Sequence, residues 1–219
     1  MAHLKLLERV SEETRRAVLS AGREIIIANG NFVLHDGERG TAAFYVMDGL
    51  LKIAKTSPGG RVSVVSLRGA GSIVGELAML APAPRSSSLQ AIGRTLVLRI
   101  EHSALESLIA DHPDFARVLL EDLAVRLRES TSHLHEIMTA NAATRMAARL
   151  AQLADDVSSD EQVSIALPVS QQELGEWAGL SRAGAVKALR TLREREVIET
   201  SRLSIVVKDL PALRAIATS

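Results

Sequence analysis

Apolar residues between positions 116 and 137 recur at alternating steps of four and three residues. The series is Ala116, Leu120, Leu123, Leu127, Ser130, Leu134 and Ile137, with one polar member. This repeat extends over about three heptads and is typical of a helix that pairs with a second helix through a narrow apolar seam. Pro113 fits the first turn of the helix, and Asp111 is placed to cap it. A single amphipathic helix packed on its own domain is the alternative, but the narrow stripe and the length of the segment favour self-association, so we expect a homodimer.

Before this helix, the chain consists of a short helical segment and then short runs of β-forming residues separated by glycines. The runs are Ala43–Met47, Leu50–Thr56, Arg61–Leu67, Ser87–Ala91 and Thr95–Ile100. The segment Ser57–Gly60 between two of the runs is a hairpin signal. Many closely spaced strands with turn residues between them predict a barrel or a sandwich in this part of the chain.

After the heptad helix, the chain contains three further helical patterns and a terminal β-like segment. Asn141 can cap the first of these helices. Ser170 begins a Ser-Gln-Gln-Glu capping box for the second helix, which Gly179 ends. Ser181 can cap the third helix. The residues expected on the buried side of that third helix are Val186, Leu189 and Leu192.

A capped helix, a turn of about three residues and a basic second helix predict a helix-turn-helix that binds double-stranded DNA. The 26 basic and 26 acidic residues of the whole chain cancel, but Ser181–Arg193 contains bases and no acid. The runs Val197–Thr200 and Leu203–Val207 predict a two-stranded wing. The alternative is a solvated helix in an ordinary helical domain. The residues expected at the DNA are Ser170, Gln171, Ser181, Arg182, Ala183, Gly184, Lys187 and Arg190, with Arg193 as a further phosphate contact.

Composition excludes several classes of site. The chain has no cysteine, which rules out disulfides, thiolate nucleophiles, iron–sulfur clusters and cysteine-ligated zinc. No apolar run reaches the roughly 18 residues that span a bilayer, and no secretory signal is present, so we expect a cytoplasmic protein with no membrane partner. The six histidines show no ligand spacing, so we expect no metal, no haem and no other cofactor. No nucleophile–base motif is present, and we expect the protein not to be an enzyme.

A glycine-containing turn and an arginine lie close together in the first part of the chain. Gly75-Glu76-Leu77-Ala78 precedes Arg85-Ser86 by a short, proline-rich segment. An arginine near the backbone amides of such a turn suits an anion, ideally a phosphate, and Glu76 can accept a hydrogen bond from a sugar hydroxyl. The alternative is a surface ion pair between Glu76 and Arg85.

The stretch Gly75–Ser87 closely resembles the phosphate-binding cassette of cyclic-nucleotide-binding domains. With the heptad helix and the helix-turn-helix after it, the chain resembles the cyclic AMP receptor protein/fumarate-nitrate regulator (CRP/FNR) family over about Gly22–Val207. The resemblance implies an α+β fold: a ligand-sensing β-roll (jelly roll) at 1–112, a dimerisation helix at 113–140 and a winged helix-turn-helix at 141–219. It implies a homodimeric transcription regulator whose binding to a palindromic operator is controlled by cyclic AMP, with cyclic GMP as an alternative effector.

The same resemblance implies which residues hold the nucleotide. Glu76 corresponds to the residue that binds the ribose 2′-hydroxyl and Arg85 to the partner of the cyclic phosphate. Ser130 and Thr131 correspond to a hydroxyl pair that contacts adenine, one residue from each subunit. Ser130 is also the polar member of the seam, where it costs stability unless it finds a partner. The full implied set is Gly75, Glu76, Leu77, Arg85, Ser86, Arg126, Ser130 and Thr131.

Two departures from the family pattern matter. The recognition helix of the cyclic AMP receptor begins Ser-Arg-Glu-Thr, whereas this chain has Ser181-Arg182-Ala183-Gly184, so that receptor's operator preference is not transferred. The first position of the hydroxyl pair is Ser130 and not threonine, which predicts a different affinity or nucleotide preference.

Three other functions remain as alternatives. The first is a family member that binds DNA without a cyclic nucleotide or answers a different small ligand. The second is an enzyme with a cyclic-nucleotide regulatory domain, for which too few residues remain. The third is an interaction protein that uses the heptad helix, against which the basic helix argues. RNA polymerase is a candidate partner of the polar loop Asp155–Gln162, on the position of that loop alone.

Overall fold

The computed structural model describes residues 5–56, 62–81, 83–157, 163–165, 171–201 and 204–218. The predictions made for Ser57–Gly60, Ser170 and Leu203 therefore lie outside the described residues. The chain forms two compact units, one ending at Arg128 and the other beginning at Glu129. The predicted three-part division at residues 112 and 140 stays a prediction.

The first unit is built on an antiparallel sheet with helices before and after it. Its elements, in chain order, are α1 (Glu12–Ser20), β1 (Gly22–Ile27), β2 (Phe32–Leu34), β3 (Ala42–Thr56), β4 (Val62–Gly69), β5 (Ile73–Val74), α2 (Leu77–Leu80), β6 (Ser88–Glu101), α3 (His102–Asp111) and the first part of α4 (Pro113–Thr139). The strand order is β1-β6-β3-β4, with β2 paired to β6 and β5 paired to β3. This arrangement puts the turn at Gly75 directly after β5, beside the long strand β3.

Two pairs of short strands predicted from the sequence are single long strands. β3 joins the runs on either side of Gly49, and β6 joins those on either side of Gly93. The β3–β6 register shifts between Val46 and Asp48 and again between Asp48 and Leu50. Gly49 has φ +89°, and a Cβ there would lie 2.8 Å from the carbonyl oxygen of Arg94. The glycines therefore allow β-bulges inside the strands, and the turns predicted at these glycines are not formed.

The core of the first unit follows the alternation of the strands. Ala42, Phe44 and Val46 belong to one buried cluster, whereas Ala43 belongs to the other, because successive side chains point to opposite faces of a sheet. The second cluster also receives the helices. From α4 it takes the buried side chains of Phe115, Val118 and Leu119. These three buried side chains pack the start of α4 against the sheet. Leu120, the next residue in the helix, points away from this core and is exposed.

The junction between α3 and α4 corrects the cap predicted for the long helix. α3 was not predicted, and Asp111 is its last residue, so Asp111 does not cap α4. Pro113 does begin α4, as predicted. The carboxylate that orders this junction is Asp114, which accepts hydrogen bonds from Ser11 N (2.8 Å), Thr14 Oγ1 (2.8 Å) and Phe115 N (3.0 Å).

The hydrogen bonds of Asp114 make part of the free energy of unfolding dependent on pH. The hydrogen bond from the Ser11 amide, followed by that from Thr14, lowers the pKa of Asp114 from 3.8 to about 2. Because the folded pKa lies below the unfolded one, the stabilisation is complete above about pH 4 and is lost as the pH falls towards 2. We expect Asp114→Asn to lower the free energy of unfolding at neutral pH, with a difference from wild type that narrows below pH 4. Urea unfolding between pH 7 and pH 3 measures it, and Asp111→Asn is the control; a gap that stays constant with pH would contradict the assignment.

The second unit contains the remaining helices and a small sheet. Its elements after α4 are α5 (Ala142–Val157), β7 (Val163–Ile165), α6 (Gln171–Trp177), α7 (Arg182–Glu194), β8 (Ile198–Ser201), β9 (Ser204–Val207) and α8 (Leu210–Ala217). The sheet order is β7-β9-β8. Asn141 caps α5 as predicted, since its side-chain oxygen accepts from the amides of Ala143 and Thr144. α5 continues to Val157, so the polar loop predicted from Asp155 begins later than expected.

Candidate nucleic-acid interface and anion site

The helices α6 and α7 are joined by a short, well-defined turn. Gly179 adopts φ +66°, and the amide of Leu180 donates to the carbonyl of Gly175 at 2.7 Å. Ser181 then caps α7 by accepting a hydrogen bond from the amide of Gly184 at 3.2 Å. The predicted helix end at Gly179 and the predicted cap at Ser181 are both confirmed. The turn sets the angle between the two helices through backbone geometry.

Small residues bring α6 and α7 into close contact. A Cβ added at Gly175 would lie 2.5 Å from the Cβ of Ala185, so a larger side chain does not fit at this crossing. Leu174 and Trp177 on α6 are buried on the same side. The position of α7 relative to α6 is therefore held by backbone-level packing, which leaves little freedom for the outer face of α7 to reorient.

The outer face of α7 consists of Arg182, Ala183, Val186, Lys187 and Arg190. These five side chains line a shallow depression of about 580 Å³. We call them the α7 outer face. Its three cations and two hydrocarbon side chains form a surface suited to a groove lined by phosphates.

Val186 corrects the predicted packing of α7. The sequence predicted that Val186 is on the buried side, but the residue is 50% exposed. The buried residues of α7 are Ala185, Ala188, Leu189 and Leu192. These follow the i, i+3, i+4, i+7 spacing of one helix face, and Val186 lies about 100° further round the helix. Because valine is strongly apolar, the sequence suggested that Val186 is buried. The residues buried in its place include Ala185 and Ala188, which are small and therefore give a weaker indication of burial.

The wing lies next in the chain and is contacted by α7. β8 and β9 form an antiparallel hairpin in which Ile198 is opposite Val207, which confirms the predicted wing. Arg193 donates to Thr200 Oγ1 at 3.3 Å, so this predicted phosphate contact is linked to the wing. Arg190 pairs with Glu194 at 3.3 Å, one turn further along α7. Gln171 is exposed at the start of α6.

In the first unit, Arg85 and Gly75 form a buried contact. The Arg85 guanidinium donates from Nη1 to the carbonyl of Gly75 and from Nη2 to the carbonyl of Ala42, the latter at 2.6 Å. Gly75 has φ +80°, and a Cβ there would lie 3.0 Å from Arg85 Nη1. Burial lowers the pKa of Arg85, against the nearby carboxylates of Glu38 and Glu76. Glycine at 75 thus allows both the turn and the close approach of the cation.

Glu76 is also buried, and its partner is Arg126 of α4. Arg126 Nη1 donates to Glu76 Oε1 at 2.9 Å, and Arg126 Nη2 lies 2.5 Å from Asp122 Oδ2. Arg126 also donates to the carbonyl of Ile73. The alternative of a surface ion pair between Glu76 and Arg85 is therefore wrong, because both residues are buried and each has other hydrogen-bond partners.

Burial dominates the electrostatics of these carboxylates. It raises the pKa of Glu76, although the neighbouring Arg126 acts to lower it. It likewise raises the pKa of Asp122, against Arg126 and the buried Arg68 of β4. Neither Asp122 nor Arg68 was predicted as part of this site. The signal for Asp122 was its i, i+4 spacing from Arg126 on the face of α4 that also holds Phe115 and Val118.

The other residues implied by the resemblance are at the surface. Leu77 and Ser86 are exposed beside the buried pair. Ser130 and Thr131 are exposed on the part of α4 that belongs to the second unit, and their contact with a ligand stays a prediction. Among the described residues, no group of three His, Asp or Glu side chains is arranged to hold a metal ion. In the parts of the chain that the structure describes, no helix has both the length and the apolar character needed to cross a bilayer.

Two family models match the chain in the regions of these two sites. Residues 24–112 match the cyclic nucleotide-binding domain, and residues 144–216 match the Crp-like helix-turn-helix domain. The chain belongs to the CRP/FNR family. The resemblance stated from the sequence is thereby confirmed, and with it the α+β fold of a cyclic-nucleotide-binding β-roll followed by a Crp-like helix-turn-helix.

This CRP/FNR protein is similar to named regulators over almost its full length. It is 28% identical over 211 residues to the CRP-like cAMP-activated global transcriptional regulator of Mycobacterium tuberculosis, which covers 95% of this chain and 94% of the relative. Among solved structures, FixK2 from Bradyrhizobium japonicum superposes with a TM-score of 0.79 at 21% identity, covering 90% of this chain and 98% of FixK2. The c-di-GMP-responsive regulator CLP of Xanthomonas campestris gives a TM-score of 0.75 at 20% identity, covering 90% and 99%. The two structures show the fold, and the curated relative is a transcriptional regulator and not an enzyme.

Proposed function

We propose that this protein is a cytoplasmic, homodimeric transcription regulator whose binding to a palindromic operator is controlled by cyclic AMP bound at residues 75–87, the cassette. The observation that carries the proposal is the buried Arg85 beside the Gly75 turn, next to a buried Glu76 that is contacted by Arg126 from α4.

Arg85 suits a cyclic phosphate. The two hydrogen bonds that its guanidinium makes among the described residues go to neutral carbonyl oxygens, and burial of the cation is unfavourable. A bound phosphate supplies the anionic partner and accepts two parallel hydrogen bonds from the guanidinium fork. Ser86 follows Arg85 in the chain and is exposed, and we expect its hydroxyl to donate a third.

Glu76 and Arg126 provide a route from the effector to the helix. A ribose hydroxyl that donates to Glu76 competes with Arg126 for the carboxylate, and so acts on a buried pair whose other member lies on α4. A ligand shifts a conformational equilibrium only through contacts that differ between the two states, and this pair offers such a contact. We expect the hydroxyls of Ser130 and Thr131 to add contacts to the base, as the resemblance implies.

The seam on α4 supports the homodimer. Leu120, Leu127 and Leu134 are 67%, 70% and 60% exposed, at intervals of seven residues. Three exposed leucines along one line of a helix match one apolar position of a heptad repeat that a partner helix covers. A second copy of the chain covers them, and its two-fold symmetry matches a palindromic operator read at half-sites about 34 Å apart.

A second candidate effector follows from the comparisons and from the pairing of Glu76. The relatives from Mycobacterium tuberculosis and Thermus thermophilus are named for cyclic AMP, whereas CLP is named as responsive to c-di-GMP. Arg126 already neutralises Glu76, which favours a protein that answers another ligand or binds DNA without one.

Calorimetric titration of the full-length protein tests the effector. We expect heat on addition of cyclic AMP, saturating at one molecule per chain, together with higher affinity for duplexes selected from a random pool when cyclic AMP is present. Heat from c-di-GMP and none from cyclic AMP would show that c-di-GMP is the effector in place of cyclic AMP. Duplex binding that is the same with cyclic AMP, cyclic GMP and c-di-GMP would overturn control by a nucleotide.

A further inference from the structure

The α7 outer face contains hydrogen-bond donors and hydrocarbon but no side-chain acceptor. Arg182, Lys187 and Arg190 carry donors only, and Ala183 and Val186 carry neither donor nor acceptor. In the major groove, the amino groups of cytosine and adenine need an acceptor on the protein. The features left for this face to read are the acceptor atoms of guanine, adenine N7, thymine O4 and the 5-methyl group of thymine, and of these the methyl group needs a hydrocarbon contact.

Val186 lies at the centre of this face. Its neighbours at i−4 and i+4 are Arg182 and Arg190, and Ala183 lies at i−3, the spacings at which side chains touch on a helix. Ala183 is exposed, as is half of Val186, so the two form one hydrocarbon surface between the cations. Valine has a single strongly preferred χ1 rotamer in a helix, so this surface is preformed.

Helix stability does not explain the valine. Single exposed apolar residues are common on protein surfaces, and exposure alone says little. Valine is, however, a weaker helix former than the lysine, glutamate or alanine that an exposed helical position accommodates. At position 186 it also lies at the edge of the buried face that holds Leu189 and Leu192, and half of it remains exposed.

We propose that Val186, together with Ala183, is a specificity-determining residue that contacts the 5-methyl group of a thymine in the major groove. This inference rests on the proposed function, because it requires α7 to lie in the major groove of an operator. It predicts that each half-site contains a thymine whose 5-methyl group increases the affinity for the protein. This thymine lies next to a guanine contacted by Arg182 or Lys187. A 5-methylcytosine presents the same methyl group at the same place.

The test removes one methyl group at a time from the DNA. A preferred duplex is selected from a random pool with the wild-type protein and cyclic AMP, and each thymine is then replaced by deoxyuridine. At one symmetric pair of thymines we expect wild-type affinity to fall about fourfold per half-site, the effect of one buried methyl group. Val186→Ala, which keeps the helix, is expected to bind the thymine and deoxyuridine duplexes equally.

A matched variant separates this effect from a general loss of apolar surface. Val65 on β4 is 48% exposed, close to the value for Val186, and lies in the other unit. Val65→Ala is expected to keep the preference for thymine. If Val186→Ala also keeps it, or if no thymine can be distinguished from deoxyuridine by the wild type, the inference is overturned while the proposed function stands. If no duplex is selected at all, the proposed function fails, and the inference fails with it.

Discussion

Arg85→Leu is expected to weaken binding of cyclic AMP by about a hundredfold or more. The substitution removes two charge-assisted hydrogen bonds to the cyclic phosphate, each worth about 1.5–3 kcal/mol, and leaves that anion without a cationic partner. Leucine replaces the hydrocarbon stem of the arginine, whereas the carbonyls of Gly75 and Ala42 lose the guanidinium that now donates to them. Isothermal titration calorimetry measures the loss directly, and duplex binding by the variant should no longer respond to cyclic AMP.

Two further variants make this result decisive. Arg85→Lys keeps the charge but loses the fork that holds two oxygens at once, so its affinity is expected to fall between those of wild type and Arg85→Leu. Arg94→Leu removes an exposed arginine from the same unit and should bind as wild type does. Thermal unfolding shows whether each variant is folded. A folded Arg85→Leu protein that binds cyclic AMP with wild-type affinity would contradict the assignment of Arg85 to the phosphate.

Leu120→Glu is expected to dissociate the proposed homodimer. Leu120 lies on the seam of α4 and is exposed in the single chain, so it is covered only when a second helix pairs with it. The dimer carries the change twice, and losing each buried leucine costs about 1.5–3 kcal/mol before the repulsion between two glutamates is added. The dimer dissociation constant should rise at least about a hundredfold. Sedimentation at several protein concentrations measures this constant.

The control for this variant adds the same charge off the seam. Ser132 is exposed on α4, two residues from the seam positions Ser130 and Leu134, and Ser132→Glu is expected to remain dimeric. Because a monomer contacts one half-site at a time, Leu120→Glu should also bind a palindromic duplex no more tightly than a duplex with a single half-site. A Leu120→Glu protein that sediments as the wild type does would place the pairing surface elsewhere.

Much of the site was visible in the sequence because it depends on local chemistry. The cap at Ser181, the helix end at Gly179 and the cap at Asn141 follow from residue types whose hydrogen bonds reach only a few positions along the chain. The turn at Gly75 needs a residue that tolerates positive φ, and Gly75 with Glu76 and Arg85 is a compact pattern. These features could be predicted without knowing what packs against them.

The tertiary structure decided what each of these features touches. Periodicity alone could not exclude Val186 from the core of α7, because that depends on which face α5 and α6 cover. The pairing of Arg126 with Glu76 joins residues 50 positions apart, and Asp122 became part of the same buried group only when α4 packed on the sheet. The sequence by itself determined the order of a β-rich part, a long heptad helix and a winged helix-turn-helix, the caps at Asn141 and Ser181, and the family, because short-range geometry and periodicity encode them. Which charges are buried together, and which apolar side chain remains exposed, was decided by long-range packing, since burial is a property of the whole fold and not of a residue.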